Sequence, residues 1–271
     1  GARVVGPAIA GLLVARIGEG WCFLANGVSY LAVLGSLLAM RLPQPLEVAH
    51  PASVWTSVRE GFVYVSRARP VRALLLLLGL VSLTGMPYAV LMPVFAREIL
   101  HGGARELGLL MGFSGVGALL GAVVLATRRS VKGLGSFVAF CAGGLGLTLV
   151  AFACSHDFLL SALLLVPVGF FMMSEMASSN TLIQSLIPDA MRGRVMSLYA
   201  MMFMGMAPIG ALIEGFLAAR IGAPATLAGG GAICMGGALL FARYLPTLRT
   251  EARQMIVELQ MSAGDPPEEP T

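Results

Sequence analysis

The sequence predicts an all-α membrane protein, and three observations carry that prediction. Of its 271 residues, 57% are hydrophobic and only 12% are charged, which is about half the charged share of a soluble domain. The charges are clustered, and the apolar stretches between them reach the roughly 20 residues that a helix needs to cross a bilayer. Because a backbone in lipid must satisfy its own hydrogen bonds, these stretches are predicted to be helices.

Eight spans follow one another along the chain. Five carry no charge, and two are interrupted by one glutamate each, Glu175 and Glu214. The first is only 12 residues long and the chain begins with Gly1, so we expect its beginning to be missing, since 12 residues cannot cross a bilayer. The spans are Val4–Ala15, Trp21–Met40, Ala73–Phe95, Leu107–Thr127, Gly133–Ser155, Phe158–Ile187, Val195–Ala219 and Ile221–Ala242.

The basic residues near the span ends predict which side of the membrane each connection faces. Lys and Arg accumulate in cytoplasmic connections, and here they alternate without a break, thirteen on one side against four on the other. This places the C-terminus in the cytoplasm. The thirteen are Arg41, Arg59, Arg67, Arg69, Arg72, Arg128, Arg129, Lys132, Arg192, Arg194, Arg243, Arg249 and Arg253; the four are Arg16, Arg97, Arg105 and Arg220.

An internal repeat predicts the domain organisation. GLLVARIG at Gly11–Gly18 returns as GFLAARIG at Gly215–Gly222, six spans later. Parallel six-helix halves are a known plan of membrane transporters, so we expect both copies to be the fifth helix of a half. Residues 1–42 then hold the last two helices of an N-terminal half, residues 73–245 hold a complete C-terminal half, and four upstream helices are missing.

The two remaining segments are predicted to be cytoplasmic. Residues 43–72 form a linker between the halves, in which Val54, Val58, Phe62 and Val65 recur at helical spacing. This amphipathic helix either lies at the membrane interface or packs its apolar stripe on the bundle. Residues 246–271 form a tail whose acidic, proline-rich end is predicted to be disordered.

Five motifs resemble one transporter family. They are RVVGPAIAGLL (Arg3–Leu13), WCFLANGVSYLAV (Trp21–Val33), REGFVYVSRARPVRALLLL (Arg59–Leu77), NTLIQSLIPDAMRGRVMSLY (Asn180–Tyr199) and PIGALIEGFLAARIG (Pro208–Gly222). They are similar to the fifth helix, the sixth helix, the approach to the seventh and the passage from the tenth to the eleventh in the major facilitator superfamily. The likeness is to its branch of enterobactin exporters and transmembrane secretion effectors.

The resemblance implies the major facilitator fold, with helices five to twelve, eight of the twelve, present. One departure is GAVVLATRRSVKG (Gly121–Gly133), which keeps the basic residues of a superfamily motif but lacks its aspartate. The implied function is a secondary transporter of the bacterial inner membrane that exports a small amphipathic molecule, a drug or a siderophore, by alternating access and uses the proton gradient. Lipid or lysophospholipid transport, and a non-transporting sensor or binding protein, stay open as alternatives.

Charged and polar residues inside the spans are the candidates for substrate binding or proton coupling, because they are costly there. A carboxylate removed from water takes up a proton more readily, as Glu175 would in a proton-coupled exporter, unless it faces a hydrated vestibule. Glu214 either couples protons or pairs with Arg220. Four further candidates either contact substrate or serve as snorkelling and helix-bonding groups, namely Arg3, Asn26, Asn180 and Gln184.

Other residues are predicted to shape the helices rather than to bind. Pro87 and Pro93 weaken one helix and are candidate bending points. Gly108 with Gly112 and Gly117 with Gly121 are small-residue pairs that allow close helix packing. The candidates for a cytoplasmic gate or anchor are Arg128, Arg129, Arg192, Gly193 and Arg194.

Several classes of function find no support in the sequence. The four cysteines lie in apolar spans without a CxxC pair, and the three histidines are far apart, so no metal site, cofactor or enzyme chemistry is predicted. The glycine run GVGALLG at Gly115–Gly121 lies within a span instead of after a strand. The positive-inside bias accounts for the net charge of +4 without a nucleic-acid partner.

Overall fold

The computed structural model describes residues 19–39, 54–128, 130–131 and 133–263, and all regular structure in these residues is helical. The chain forms two compact units, Gly1–Thr56 and Ser57–Thr271. The helices are α1 (Glu19–Ala39), α2 (Val54–Arg67), α3 (Arg69–Thr84), α4 (Tyr88–Val94), α5 (Ala104–Ala126), α6 (Leu134–Ala153), α7 (Phe158–Leu186), α8 (Asp189–Ala200), α9 (Met206–Ile221) and α10 (Ala223–Ala263). Short π-helical turns, Phe95–Ile99 and Met201–Gly205, follow α4 and α8.

Six helical segments of the described residues are long and apolar enough to cross a membrane, which confirms the predicted fold class for this part of the chain. They are Arg69–Ile99, Ala104–Ala126, Leu134–Ala153, Phe158–Leu186, Asp189–Ile221 and Ala223–Val257. The predicted span Trp21–Met40 coincides with α1, which has 21 residues. The predicted span Val4–Ala15 lies outside the described residues.

The six segments pack into one bundle in the second unit. Helix α7 contacts α5 and α6, α6 contacts α10, and α10 contacts α3 and α9. Fully buried side chains such as Leu74, Leu145 and Leu165 fill the space between them. Large apolar side chains such as Leu76, Leu163 and Leu212 remain exposed on the outside, as expected where the surrounding medium is itself apolar.

The first membrane-length segment is interrupted where α3 meets α4. Helix α3 ends at Thr84 and α4 begins at Tyr88. Pro87 has no N–H, so the Leu83 carbonyl loses the donor that an unbroken helix would supply. A second proline, Pro93, lies inside α4 and is followed by the π-helical turn. The backbone is therefore interrupted near the predicted bending points, while movement there remains a prediction.

Helix α10 is longer than the predicted last span. It runs for 41 residues and ends at Ala263, well beyond residue 242, where the uncharged run ends. The added residues include Glu251, Arg253 and Met255, which favour helix. The loss of hydropathy after residue 242 therefore ends the apolar span without ending the helix.

Glycines set the close approach of α5 to α7, and only one of the two predicted pairs does so. A Cβ atom at Gly117 would collide with the Val166 carbonyl, and one at Gly121 would lie 2.7 Å from the Phe170 carbonyl oxygen. In contrast, nothing lies within 4 Å of a Cβ at Gly108 or Gly112 in the described residues. Gly108 and Gly112 therefore contact no other helix of the described residues, and close packing at this pair stays a prediction.

The linker helix α2 packs one side on the bundle. Val65 is buried, and the Tyr64 hydroxyl donates to the Leu186 carbonyl oxygen at 3.4 Å. Burial raises the pKa of the Tyr64 phenol. Phe62, a member of the predicted apolar stripe, is 48% exposed, and Trp55 is 78% exposed. The alternative in which α2 packs on the bundle thus holds for the side that carries Tyr64. The exposed side, with Phe62 and Trp55, is apolar as well.

Candidate functional site

Glu175 lies at the centre of the candidate site, in the middle of α7. Its side chain is 1% exposed, and the Ser179 hydroxyl one turn later donates to Oε1 at 3.0 Å. Ser174 and Ser178 are also buried on this helix. The alternative of a carboxylate in a hydrated vestibule is therefore wrong for the described structure, because Glu175 is enclosed by its own bundle.

Serine hydroxyls lie around Glu175, where the neighbouring helices leave room for small side chains. Gly121 of α5 lets that helix approach until a Cβ there would lie 2.7 Å from Ser174 Oγ. No hydrogen-bond partner is found for Ser178 Oγ among the described residues. Among the described residues, the Glu175 carboxylate is therefore hydrogen-bonded to the Ser179 hydroxyl and not to Ser178.

Polar side chains continue from Glu175 toward the C-terminal end of α7. Asn180 is half-buried and Gln184 is exposed, and the Gln184 amide donates to Asn180 Oδ1. The buried Tyr199 of α8 donates its hydroxyl to the Met176 carbonyl at 3.1 Å and interacts with the Asn180 side chain. The nine residues from Glu175 to Gln184 correspond to about 13 Å of helix. Nine residues also correspond to about 900° of rotation, so Gln184 lies on the face of α7 opposite Glu175. The polar side chains from Glu175 to Gln184, called the polar row here, therefore extend along α7 without forming one continuous face.

Two polar residues near Glu175, Ser179 and Tyr199, were not predicted from the sequence. A signal for Ser179 was available, since it lies four residues after Glu175 and thus on the same helix face. Tyr199 belongs to another helix, and a single sequence gives no indication of that contact. Asn180 and Gln184 were predicted as candidates, and the structure joins them to each other by a hydrogen bond, on a different face of α7 from Glu175.

Glu214 occupies a second, separate interior position in α9. It is 4% exposed, and neither carboxylate oxygen has a hydrogen-bond partner among the described residues. A Cβ at Gly230 of α10 would lie 3.2 Å from Glu214 Oε1 and would collide with the Thr84 carbonyl at the end of α3. Glu214 therefore faces the interruption between α3 and α4.

The predicted ion pair between Glu214 and Arg220 is wrong. The Arg220 guanidinium lies over the Phe216 ring, 4.7 Å from its centroid, and Arg220 is exposed while Glu214 is buried. The physical reason is helical geometry, since six residues correspond to about 600° of rotation and place the two side chains about 120° apart.

The gate and anchor candidates form separate contacts at one end of the bundle. Arg194 forms an ion pair with Glu60 of the linker helix at 3.0 Å, and Arg192 pairs with Asp189 at 2.8 Å. Arg128 lies over the Phe137 ring, 4.0 Å from its centroid. The Arg194–Glu60 pair joins the linker helix to α8, whereas a gating role of these residues remains a prediction.

The other candidates contribute less to the site. Gly193 lies on the exposed side of α8, where a Cβ would have no atom of the described residues within 4 Å. Asn26 is exposed on α1. Arg3 and Arg129 lie outside the described residues. Within the described part of the chain, no group of three or more His, Cys, Asp or Glu side chains could hold a metal ion.

Comparison with known proteins identifies bacterial siderophore transporters among the relatives. The staphyloferrin A transporter of Staphylococcus aureus is 23% identical over 211 residues, which are 78% of this chain and 52% of that protein. The enterobactin exporter of Citrobacter koseri is 27% identical over 91% of this chain and 58% of its own length. That of Shigella boydii is 27% identical over 88% and 57%. The chain thus spans about half the length of the curated relatives it matches.

A family description covers nearly the whole chain. The family of transmembrane secretion effectors, within the major facilitator superfamily, matches residues 2–265. Six membrane-length helices make the chain a multi-pass membrane protein, as this transporter family requires. The chain therefore belongs to the transmembrane secretion effector family of the major facilitator superfamily.

Proposed function

We propose that this chain is part of a secondary transporter of the bacterial inner membrane that exports a small amphipathic molecule, with a siderophore as the first candidate. Export proceeds by alternating access between two six-helix halves, of which residues 73–245 are the C-terminal one. Protons that move down their gradient by way of the Glu175 carboxyl drive the export.

The observation that carries this proposal is the burial of Glu175 in a membrane-length helix beside the Ser179 hydroxyl. Ionisable groups at such depth are costly and are retained where they act on ions or substrates. No ion pair involves Glu175 among the described residues, and its carboxylate accepts a hydrogen bond from the neutral Ser179 hydroxyl.

The uneven burial of the helices supports a second half. In the most apolar 18 residues of α5 and of the segment Asp189–Ile221, only 17% is buried. The corresponding share is 39–61% in the other four membrane-length segments. These two segments therefore present the most open apolar faces of the bundle. A second half packed there would place a substrate site between the halves, as in other transporters with such repeats.

The names of the relatives support the substrate class and the direction. Enterobactin exporters and a staphyloferrin A transporter match this chain, so siderophores are the first molecules to test. The thirteen-to-four distribution of basic residues supports a cytoplasmic C-terminus. Arg3, on the fifth helix of the first half, is proposed to face the substrate as a counter-charge.

The test uses inverted membrane vesicles that contain the product of the gene's complete reading frame. An imposed proton gradient should drive uptake of a siderophore from a panel that also contains drugs and lysophospholipids. Glu175→Gln should abolish gradient-driven uptake while substrate binding, measured without a gradient, is retained. The matched control is Glu98→Gln, which changes an exposed carboxylate outside the row and should transport like the parent.

The outcomes separate the parts of the proposal. Unchanged gradient-driven uptake by Glu175→Gln would refute the role of Glu175. Uptake of lysophospholipid in place of siderophores and drugs would show that the proposed substrate class is wrong and that the substrate is a lipid. Binding without transport of any member of the panel would indicate a sensor instead of a transporter.

A further inference from the structure

A groove between α3 and α10 is separate from the polar row of α7. Its volume is about 700 Å³, within the range of small-molecule sites. Its walls are mostly apolar and include Leu76 and Leu80 of α3 and Leu240 of α10. Leu76 and Leu240 are 62% and 58% exposed, so the groove is open along its length.

The two ends of this groove differ in chemistry. At one end lie Arg69 and Arg72 of α3 together with Glu251 of α10, which gives a local formal charge of +1. At the other end Gly237 lets α10 approach α3 so closely that a Cβ there would collide with Leu80, and this contact closes the groove. The groove is thus apolar along its depth and basic at its mouth.

The length of the groove matches one leaflet of a bilayer. From Arg69 to Leu80 there are eleven residues, or about 16 Å of helix. Half of the hydrocarbon core of a bilayer is about 15 Å. A molecule with a charged head at the arginines and an apolar tail ending at Leu80 would therefore occupy the groove in the way that a phospholipid occupies its own leaflet.

The arginines have the donors that a phosphate requires. Arg69 Nη1 contacts Glu251 Oε1 at 3.1 Å, and Arg72 Nη1 donates to the Ser66 carbonyl at 2.9 Å. Each guanidinium carries five N–H donors, and both side chains are exposed. Each guanidinium therefore keeps N–H donors for a phosphate beyond the contact it already makes.

We propose that the groove between α3 and α10 binds an anionic phospholipid, with its phosphate at Arg69 and Arg72 and an acyl chain along Leu76, Leu80 and Leu240. The net charge of the mouth favours an anionic headgroup over a zwitterionic one. Basic pockets between transmembrane helices bind lipid headgroups by the same electrostatic attraction. A transmembrane helix from elsewhere in a transporter would fill the apolar part, but it would not require two arginines at the mouth.

The test measures lipid binding to the purified 271-residue chain by native mass spectrometry in detergent. Phosphatidylglycerol, phosphatidylethanolamine and phosphatidylcholine with identical acyl chains are titrated separately. The parent should bind phosphatidylglycerol most tightly, and the variant Arg69→Gln/Arg72→Gln should lose about fivefold in that preference for each arginine. The control Arg97→Gln/Arg105→Gln removes two exposed arginines from another connection and should retain the preference.

Two further variants test the groove itself. Leu240→Trp fills the apolar part and should weaken the binding of all three lipids. Leu239→Trp changes the neighbouring residue, which is 70% exposed and does not line the groove, and should leave binding unchanged. Glu251→Gln removes the competing carboxylate and should strengthen the binding of phosphatidylglycerol.

Three results would overturn the proposal. They are equal binding of the three lipids by the parent, an unchanged preference in Arg69→Gln/Arg72→Gln, and equal effects of Leu240→Trp and Leu239→Trp. None of these measurements uses transport, so the outcome is independent of the proposed export function.

Discussion

Replacing Gly117 by alanine places a methyl group where α5 touches the backbone of α7. The added Cβ would collide with the Val166 carbonyl oxygen and would lie 2.9 Å from the Phe170 backbone nitrogen. Gly169 of α7 faces the Ser114 carbonyl of α5 with a similar collision, so neither helix has room to yield at this crossing. The two helices must therefore separate or slide when the methyl group is added.

The expected magnitude is the balance of two opposing terms. Overpacking of a close contact costs about 1–3 kcal/mol. Alanine is about 1 kcal/mol better than glycine in a helix interior, which offsets part of that cost. The contacts at Gly117 are to backbone atoms instead of flexible side chains, so we expect the upper part of the range. The net destabilisation is then about 1–2 kcal/mol, or roughly 2–8 °C in Tm.

The buried thiols of the bundle report this change. Cys141 and Cys234 are buried, whereas Cys154 is exposed. With Cys22 and Cys154 replaced by serine in every form of the protein, a thiol-reactive fluorescent dye reacts mainly when the bundle opens. A thermal ramp of the purified 271-residue chain in detergent then gives Tm for the parent and for the variants.

The matched control is Gly112→Ala in the same helix. No atom of the described residues lies within 4 Å of a Cβ at Gly112, so the helix propensity term acts alone and Tm should stay level or rise. A Gly117→Ala protein that melts with the parent, or a Gly112→Ala protein that loses as much as Gly117→Ala, would refute the assignment of the α5–α7 contact.

Three other predictions follow from the geometry and the charge pattern. A reporter that is active only in the cytoplasm should be active when fused after Arg249 and silent when fused within His101–Arg105; the reverse at either site contradicts the topology. Arg194→Ala should lower the free energy of unfolding by the ~0.2–1 kcal/mol of a surface ion pair and Tm correspondingly little, and a Glu60→Gln background should remove most of this effect. Glu214→Gln should keep or raise Tm, because no partner among the described residues is lost and an uncompensated buried charge is costly; a clear loss would reveal a partner.

Hydropathy predicted the membrane-length helices because lipid imposes a length and a composition on each of them. The predicted Phe158–Ile187 became α7 at Phe158–Leu186, and the predicted Gly133–Ser155 became α6 at Leu134–Ala153. The end of α10 could not be found in this way, since helix propensity and hydropathy change at different residues. A rule based on hydropathy locates the end of the apolar span, and it does not locate the end of the helix.

Contacts between helices were less accessible to sequence analysis than the helices themselves. The burial of Glu175 depends on how α5 and α6 pack against α7, and a single sequence does not contain that arrangement. The contact of Tyr199 with Asn180 joins two helices across a turn, so a single sequence does not reveal it either. The error at Glu214 was of another kind, because the angle between positions six apart in a helix could have excluded the pair with Arg220.

Helical angles also explain why one glycine pair of α5 packs and the other does not. Gly108 and Gly117 are nine residues apart, which is about 900° of rotation and puts them on opposite faces of the helix. A single neighbour such as α7 can therefore contact only one of the two pairs. The Gly108 and Gly112 face is left open by the described residues, on one of the two least-buried segments of the bundle. Small residues on an open face permit close approach of another helix, so this face supports the proposal that a second half packs there.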